Sequence, residues 1–306
     1  MESSNLETFL RAATPRLPWR SATMDRFQGP NSVWQLDRKN EDTTAVEYFA
    51  LADLWDNYAE SSAYGLAVPL RGAGGDVVTQ HFVPYLSAVQ LYTATRPITS
   101  LAVSRSIGSE TDSWSDDSGV GGERFAGSWD AASEDDEDSA YGGAASSSKH
   151  RGYLNFQYRE WDSPYDRVPL SHKVSELAQD YPCLTSLRSA ELSPSSWMSV
   201  AWYPIYHIPA HGHGNLKGIS ACFLTYHSIS SVFQDNIHSG QEGDGGQTTV
   251  LSPFGLASYK MEGDLWRRPG SSDPEKLSEL HWAAASWLKQ VGAHHPDFAF
   301  FTSHRR

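Results

Sequence analysis

The sequence predicts an α+β fold: a largely antiparallel sheet of about five strands with helices packed against it, plus a long disordered acidic loop. Three observations carry this. Runs rich in β-branched and aromatic residues follow one another across short Gly-rich and polar connections, amphipathic helical patterns stand before and after them, and between about 104 and 150 hydrophobic periodicity vanishes into Ser, Gly, Asp and Glu.

Asn5 to Pro18, NLETFLRAATPRLP, opens as a short helix with Leu6, Phe9 and Leu10 on one face, stopped by Pro15. Its Arg, Ser and Thr content resembles a transit peptide, but Glu2 and Glu7 argue against one. Tyr48, Leu51, Ala52, Trp55, Tyr58 and Ala59 follow helical spacing, with Gly65 just beyond the end. After a Gly-rich turn, Val77 to Tyr92 reads as a long strand interrupted near Pro84. Both of its faces are apolar, as expected of a central strand covered on two sides.

The 104–150 stretch has too little apolar surface to offset ordering costs of about 1 to 2 kcal/mol per residue. It is expected to be a disordered insertion within a single domain spanning 1–306, because the residues before it supply only one clear helix and one long strand. Tyr153 to Trp161 alternates as a half-buried strand. Pro169 fits the first position of a helix with Leu170, Val174, Leu177 and Ala178 inward. A short segment, Leu184 to Leu192, follows. Trp197 to Ile208, Ile219 to Ser230 and Val250 to Met261 are further strands, with Pro204 marking a bulge or an edge in the first. Ser272-Asp-Pro-Glu275 reads as a capping box for a helix with Leu277, Leu280, Ala284, Trp287, Leu288 and Val291 on one face.

The formal charge of the 306 residues is −13. Between Glu110 and Ser139 eleven acidic residues face one basic residue, so −10 sits there and −3 on the rest. A nearly neutral body without a Lys/Arg stripe argues against nucleic acid as a direct partner. No run approaches the roughly 18 apolar residues that cross a bilayer, and no signal-peptide pattern follows Met1, so no membrane partner is expected. Two cysteines, Cys183 and Cys222, are too few for a secreted disulfide framework. Together these readings place the protein in the cytoplasm or nucleus.

The order of segments resembles the plant domain of unknown function 789 family over nearly the whole chain. The resemblance rests on NLETFLRAATPRLP, on YFALADLWDNYAESSAYGLAVPL at Tyr48 to Leu70, and on VVTQHFVPYLSAVQLY at Val77 to Tyr92. It continues through PSSWMSVAWYPIYHIP at Pro194 to Pro209, ACFLTYHS at Ala221 to Ser228, FGLASYK at Phe254 to Lys260 and HPDFAFF at His295 to Phe301. It implies a plant source, a single domain interrupted by a variable Ser/Asp/Glu-rich loop, and an N-terminal segment that belongs to the fold. It implies no activity, substrate or cofactor. His207 departs from the Arg that members often carry there.

No catalytic, cofactor-binding or metal residue is assigned from the sequence. His207, His211 and His213 could be drawn with His294 and His295 as a zinc site, but they sit in a Gly-rich turn without a Cys or acidic ligand. Gly72-Ala-Gly-Gly75 precedes a strand and lacks the ending of a phosphate loop. Ser195 or Ser196 with His81, His227 and Asp53 supply the residue types of a hydrolase, without a G-x-S-x-G elbow. That enzyme, lined by an aromatic pocket, is the alternative to a non-enzymatic interaction or regulatory module. The module reading rests on the acidic loop. Ser113, Ser115 and Ser133 precede acidic residues as acid-directed kinase sites do, and Trp114 and Trp129 are aromatic contact points for a protein partner. An exposed apolar patch on the folded body is the other candidate contact.

Overall fold

The computed structural model describes residues 3–23, 45–72, 75–93, 151–205, 220–233, 248–261, 265–266 and 271–303. All of these lie in a compact unit formed by 1–96 and 151–306. Ser113, Trp114, Ser115, Trp129 and Ser133 of the acidic insertion, and His207, His211 and His213, lie outside the described residues.

Helix α1 (Asn5–Ala12) begins where the Ser4 hydroxyl accepts the Glu7 N–H at 3.2 Å. Its apolar face, Leu6, Phe9 and Leu10, is buried, and the Phe9 ring stacks on Phe223 at 4.2 Å and meets Phe82 edge-on at 5.3 Å. The N-terminal segment is therefore part of the core. Strand β1 (Arg16–Pro18) pairs with a later strand, while β2 (Arg20–Thr23) pairs antiparallel with β3 (Ala45–Tyr48). The helix expected from Tyr48 onward is two helices, α2 (Leu51–Asn57) and α3 (Ala59–Tyr64). Tyr48 ends β3, and at Tyr58 the N–H turns to the Trp55 carbonyl, tightening the chain between the two. Gly65 closes α3 at φ 79°, a conformation open to glycine, and a Cβ there would stand 3.0 Å from Ile205.

Strand β4 (Leu66–Arg71) turns into β5 (Val77–Thr93), and β6 (Tyr153–Arg159) returns antiparallel to its far end. The β5 strand runs through Pro84 without the expected interruption. The Ile205 N–H bonds the His81 carbonyl from the strand on one side, so Phe82 and Pro84 direct their backbone groups to the other. There β4 ends opposite Phe82 and β6 begins opposite Ala88. Pro84 thus stands in the gap between two strands laid end to end, where its missing N–H leaves no ladder bond unmade.

Helix α4 (Leu170–Asp180) takes Pro169 as its cap rather than its first residue, and α5 (Cys183–Ser186) follows. Strands β7 (Trp197–Pro204), β8 (Cys222–Ser228), β9 (Thr248–Val250) and β10 (Gly255–Tyr259) precede α6 (Asp273–Gln290) and α7 (Pro296–Ser303). The β9 strand pairs with β1. The main sheet has six strands where about five were expected, in the order β10-β8-β7-β5-β4 with β6 beside β5, and every pairing is antiparallel. Pro204 marks neither a bulge nor an edge, since β7 is an inner strand and Pro204 is its last residue. The expected capping box is absent as well. The Ser272 side chain makes no cap bond, and Ser271 instead accepts the Asp273 N–H and donates to the Asp273 carboxylate at 2.8 Å.

Alternation sorts the strands onto two apolar layers. Phe82, Leu86, Met198, Val200, Trp202, Phe223 and Leu256 meet α1, α2 and α4 on one face. Ala88, Trp197, Ala201, Leu224, Tyr226 and Ala257 meet α6 and α7 on the other. Gly255 lets α6 come close, since a Cβ there would lie 2.9 Å from the Cβ of Ala284. Among the described residues no helix is long and apolar enough to cross a membrane.

Candidate functional site

On the α6/α7 face a row of polar side chains crosses three central strands: Ser87 of β5, Ser199 of β7 and Tyr226 of β8. All three are fully buried. Over them lies the entry to α7, which brings His295 and Asp297 down from the helix side at 4% exposure each. The Ser87 hydroxyl contacts both His295 Nε2, at 2.9 Å, and Asp297 Oδ2. Ser199 Oγ lies 3.3 Å from the same Nε2, and Tyr226 lies 2.6 Å from Nδ1. Arg167, from the connection between β6 and α4, donates to Asp297 Oδ2 at 2.8 Å and to Oδ1 at 2.7 Å. The guanidinium and carboxylate are 4% and 6% exposed, so the pair is sealed from water.

These are the residue types of a nucleophilic triad, so the order of the protons decides what they can do. Asp297, paired with Arg167, accepts, and the one Ser87 proton goes to it. The Ser87 oxygen must then receive the His295 Nε2–H, which leaves Nδ1 bare to take the Tyr226 O–H. Burial holds the imidazole neutral, lowering its pKa to about 4, and the same cause holds the Tyr226 phenol far above its ordinary range. A base for Ser87 would instead need a bare nitrogen toward the serine and the carboxylate on the other nitrogen. In this arrangement Ser87 is locked as a relay between His295 and Asp297.

The residues singled out in sequence do not form one cluster. His227 is fully buried: Nδ1–H meets the Leu251 carbonyl at 2.8 Å, so Nε2 takes the Thr225 hydroxyl at 2.9 Å. Burial lowers its pKa to about 4. Asp53 pairs with Arg20 near the surface, and His81 lies in β5 opposite Ala67 of β4. Ser196 both accepts the Tyr92 N–H and donates to the Tyr92 carbonyl, pinning the turn before β7, while Ser195 only donates its N–H to Ser193. Gly72 follows the end of β4, and its N–H bonds the Asp76 carbonyl just before β5 at 2.8 Å. Cys183 and Cys222 are free thiols, both with pKa raised by burial. Among the described residues no three His, Cys, Asp or Glu side chains gather to hold a metal ion. The buried row escaped the sequence reading, although Ser87 and Ser199 interrupt apolar strands on the same face and His295 and Asp297 open the HPDFAFF block.

Above this site the surface is aromatic. Trp161, 68% exposed, stacks on the His294 ring at 5.8 Å, and Tyr165 four residues on is 99% exposed. The carboxylate of Glu160 beneath them is buried and accepts the N–H groups of Trp161 and Asp162.

A family model described as a protein of unknown function (DUF789) matches residues 4–301. No curated protein and no solved structure matches the chain.

Proposed function

Because the chain belongs to the DUF789 family of proteins of unknown function, we propose from its geometry that it works by binding a protein partner rather than by catalysis. The observation that carries this is the Ser87–His295–Asp297 row, whose hydrogen bonds are filled, whose proton order opposes nucleophilic attack, and which lies under α7 away from solvent. Contact with the partner falls to the exposed Trp161 and Tyr165 on the body and to the acidic sequence carrying Trp114 and Trp129, where phosphates on Ser113, Ser115 or Ser133 would add charge. Two free thiols fit a reducing compartment, the cytoplasm or nucleus.

The test compares proteins retained by the intact chain, by a chain lacking 110–139, and by a Trp161→Ala/Tyr165→Ala variant. Partners lost with the excision assign the interaction to the acidic insertion, and partners lost with the double substitution assign it to the body. The rival is a hydrolase, and the Ser87–His295 contact is the observation on its side. Ester hydrolysis by the purified chain that disappears in a folded Ser87→Ala variant, with partner binding unchanged, replaces the binding reading by the enzymatic one.

A further inference from the structure

The connection between β6 and α4 carries Asp162-Ser-Pro-Tyr-Asp166 between two buried anchors, Glu160 and Arg167. Between those anchors the bonds of the turn are nearly all its own. The Asp166 N–H meets the Ser163 carbonyl at 3.0 Å, the Ser163 hydroxyl donates to Asp166 at 2.6 Å, and the Arg167 Nε–H folds back on the Asp162 carbonyl at 2.9 Å. Ser163 is exposed, Pro164 occupies the second position of the turn, and Tyr165 projects completely.

We infer that Ser163 is a phosphorylation site for a proline-directed protein kinase, and that the phosphate draws Arg167 away from Asp297. A pocket that offers no acceptor at the position after the serine selects proline, the residue that brings no N–H. The chain has four Ser-Pro or Thr-Pro steps, and their settings differ. Ser193 is 5% exposed and bonds the Arg151 carbonyl. Thr14 bonds the Leu10 carbonyl at 2.5 Å within the α1 exit. Ser252 is exposed, but its neighbours are nailed down: the Leu251 N–H to Pro15, the Leu251 carbonyl to His227, and the Phe254 N–H to Tyr226. Only the Ser163 turn can be drawn into an extended groove without breaking the sheet or the core.

In the transfer, Ser163 Oγ forms a bond to the γ-phosphorus of ATP as the bond from that phosphorus to the ADP oxygen breaks. ADP leaves with the electron pair, and the hydroxyl proton passes to the base of the kinase. The product has lost the proton it gave Asp166 and carries about −1.5 to −2 charges between Asp162 and Asp166. Arg167 folds against this turn and is the nearby cation that can meet the phosphate with two parallel N–H bonds. Doing so removes the counterion of Asp297, and the first turn of α7 loses its tie to the β6–α4 connection while Ser87 of β5 still donates to Asp297.

This inference stands apart from the partner-binding reading, and its test is carried out on the folded, full-length chain. The chain is treated with a purified proline-directed kinase and ATP, the sites are mapped by mass spectrometry, and amide exchange is followed across 296–303. A buried site must wait for local opening, so Ser163 is expected to gain phosphate more than about tenfold faster than Ser193. The α7 amides then exchange faster, and both effects vanish in Ser163→Ala and in Pro164→Ala, which keeps the hydroxyl. Phosphate absent from Ser163, or favouring Ser252, overturns the site. Phosphate on Ser163 with unchanged α7 exchange overturns the coupling to Arg167.

Discussion

Arg167 and Asp297 face each other across two hydrogen bonds with almost no access to water. Their mutual attraction roughly repays the cost of stripping both of solvent, so the pair adds little net stability, whereas leaving one partner alone strands a buried charge. Arg167→Met is accordingly expected to cost about 3–5 kcal/mol in urea unfolding, and Arg167→Met with Asp297→Leu to recover most of that loss. A double variant as unstable as the single one would refute the account. None of this partnership was legible in the sequence, because Arg167 lies in a connection without periodicity and meets a residue 130 positions away. His295 was visible only as a histidine in a familiar block and as a candidate zinc ligand beside His294, not as the partner of Ser87 and Tyr226.

Elements were read better than the ends and breaks that neighbours impose. The apolar stripe of α6 was plain, since Leu277, Ala284, Leu288 and Val291 recur at helical spacing and all are buried. Pro84 suggested an interruption because a lone strand offers no sign that its partners on one side stop at Phe82 and resume at Ala88. The split at Tyr58 is likewise a tertiary matter, for that ring is buried against Trp202 at 6.0 Å. Close packing between α6 and β10 gives this scale its prediction. Gly255→Ala places a methyl 2.9 Å from Ala284 Cβ and 3.0 Å from its Cα, so the helix must shift at a cost of about 1–3 kcal/mol. Adding Ala284→Gly should return part of that, less about 1 kcal/mol for glycine within a helix. Strictly additive effects in thermal unfolding would show that the two positions do not meet.

Across the whole molecule, acid stability turns on the two buried imidazoles, His227 and His295, each lowered to about 4 from an ordinary 6.5, chiefly by burial. Once unfolded, each regains the ordinary value, so between these limits the unfolded chain holds about two more protons than the folded one. Their contribution is complete above about pH 6.5 and falls by about 2.7 kcal/mol per unit as the pH drops toward 4. The urea midpoint should follow that slope, and His227→Gln or His295→Gln should each remove about half of it. A midpoint unchanged between neutral pH and about 4.5 would contradict the burial of both rings. Composition and segment order disclosed the antiparallel sheet and its helices, while the two faces became distinct only once each strand had its register. Thr93 and Tyr153 are partners in the ladder, and a Cβ at Gly152 would stand 2.6 Å from the Thr93 carbonyl, so the chain departs and returns at a single doorstep. With its two ends already held together, a flexible connection between them costs only about 0.6 kcal/mol more for each doubling of its length. Evolution can therefore rewrite the sequence that joins Thr93 to Gly152 without redrafting the ladder in which its ends meet.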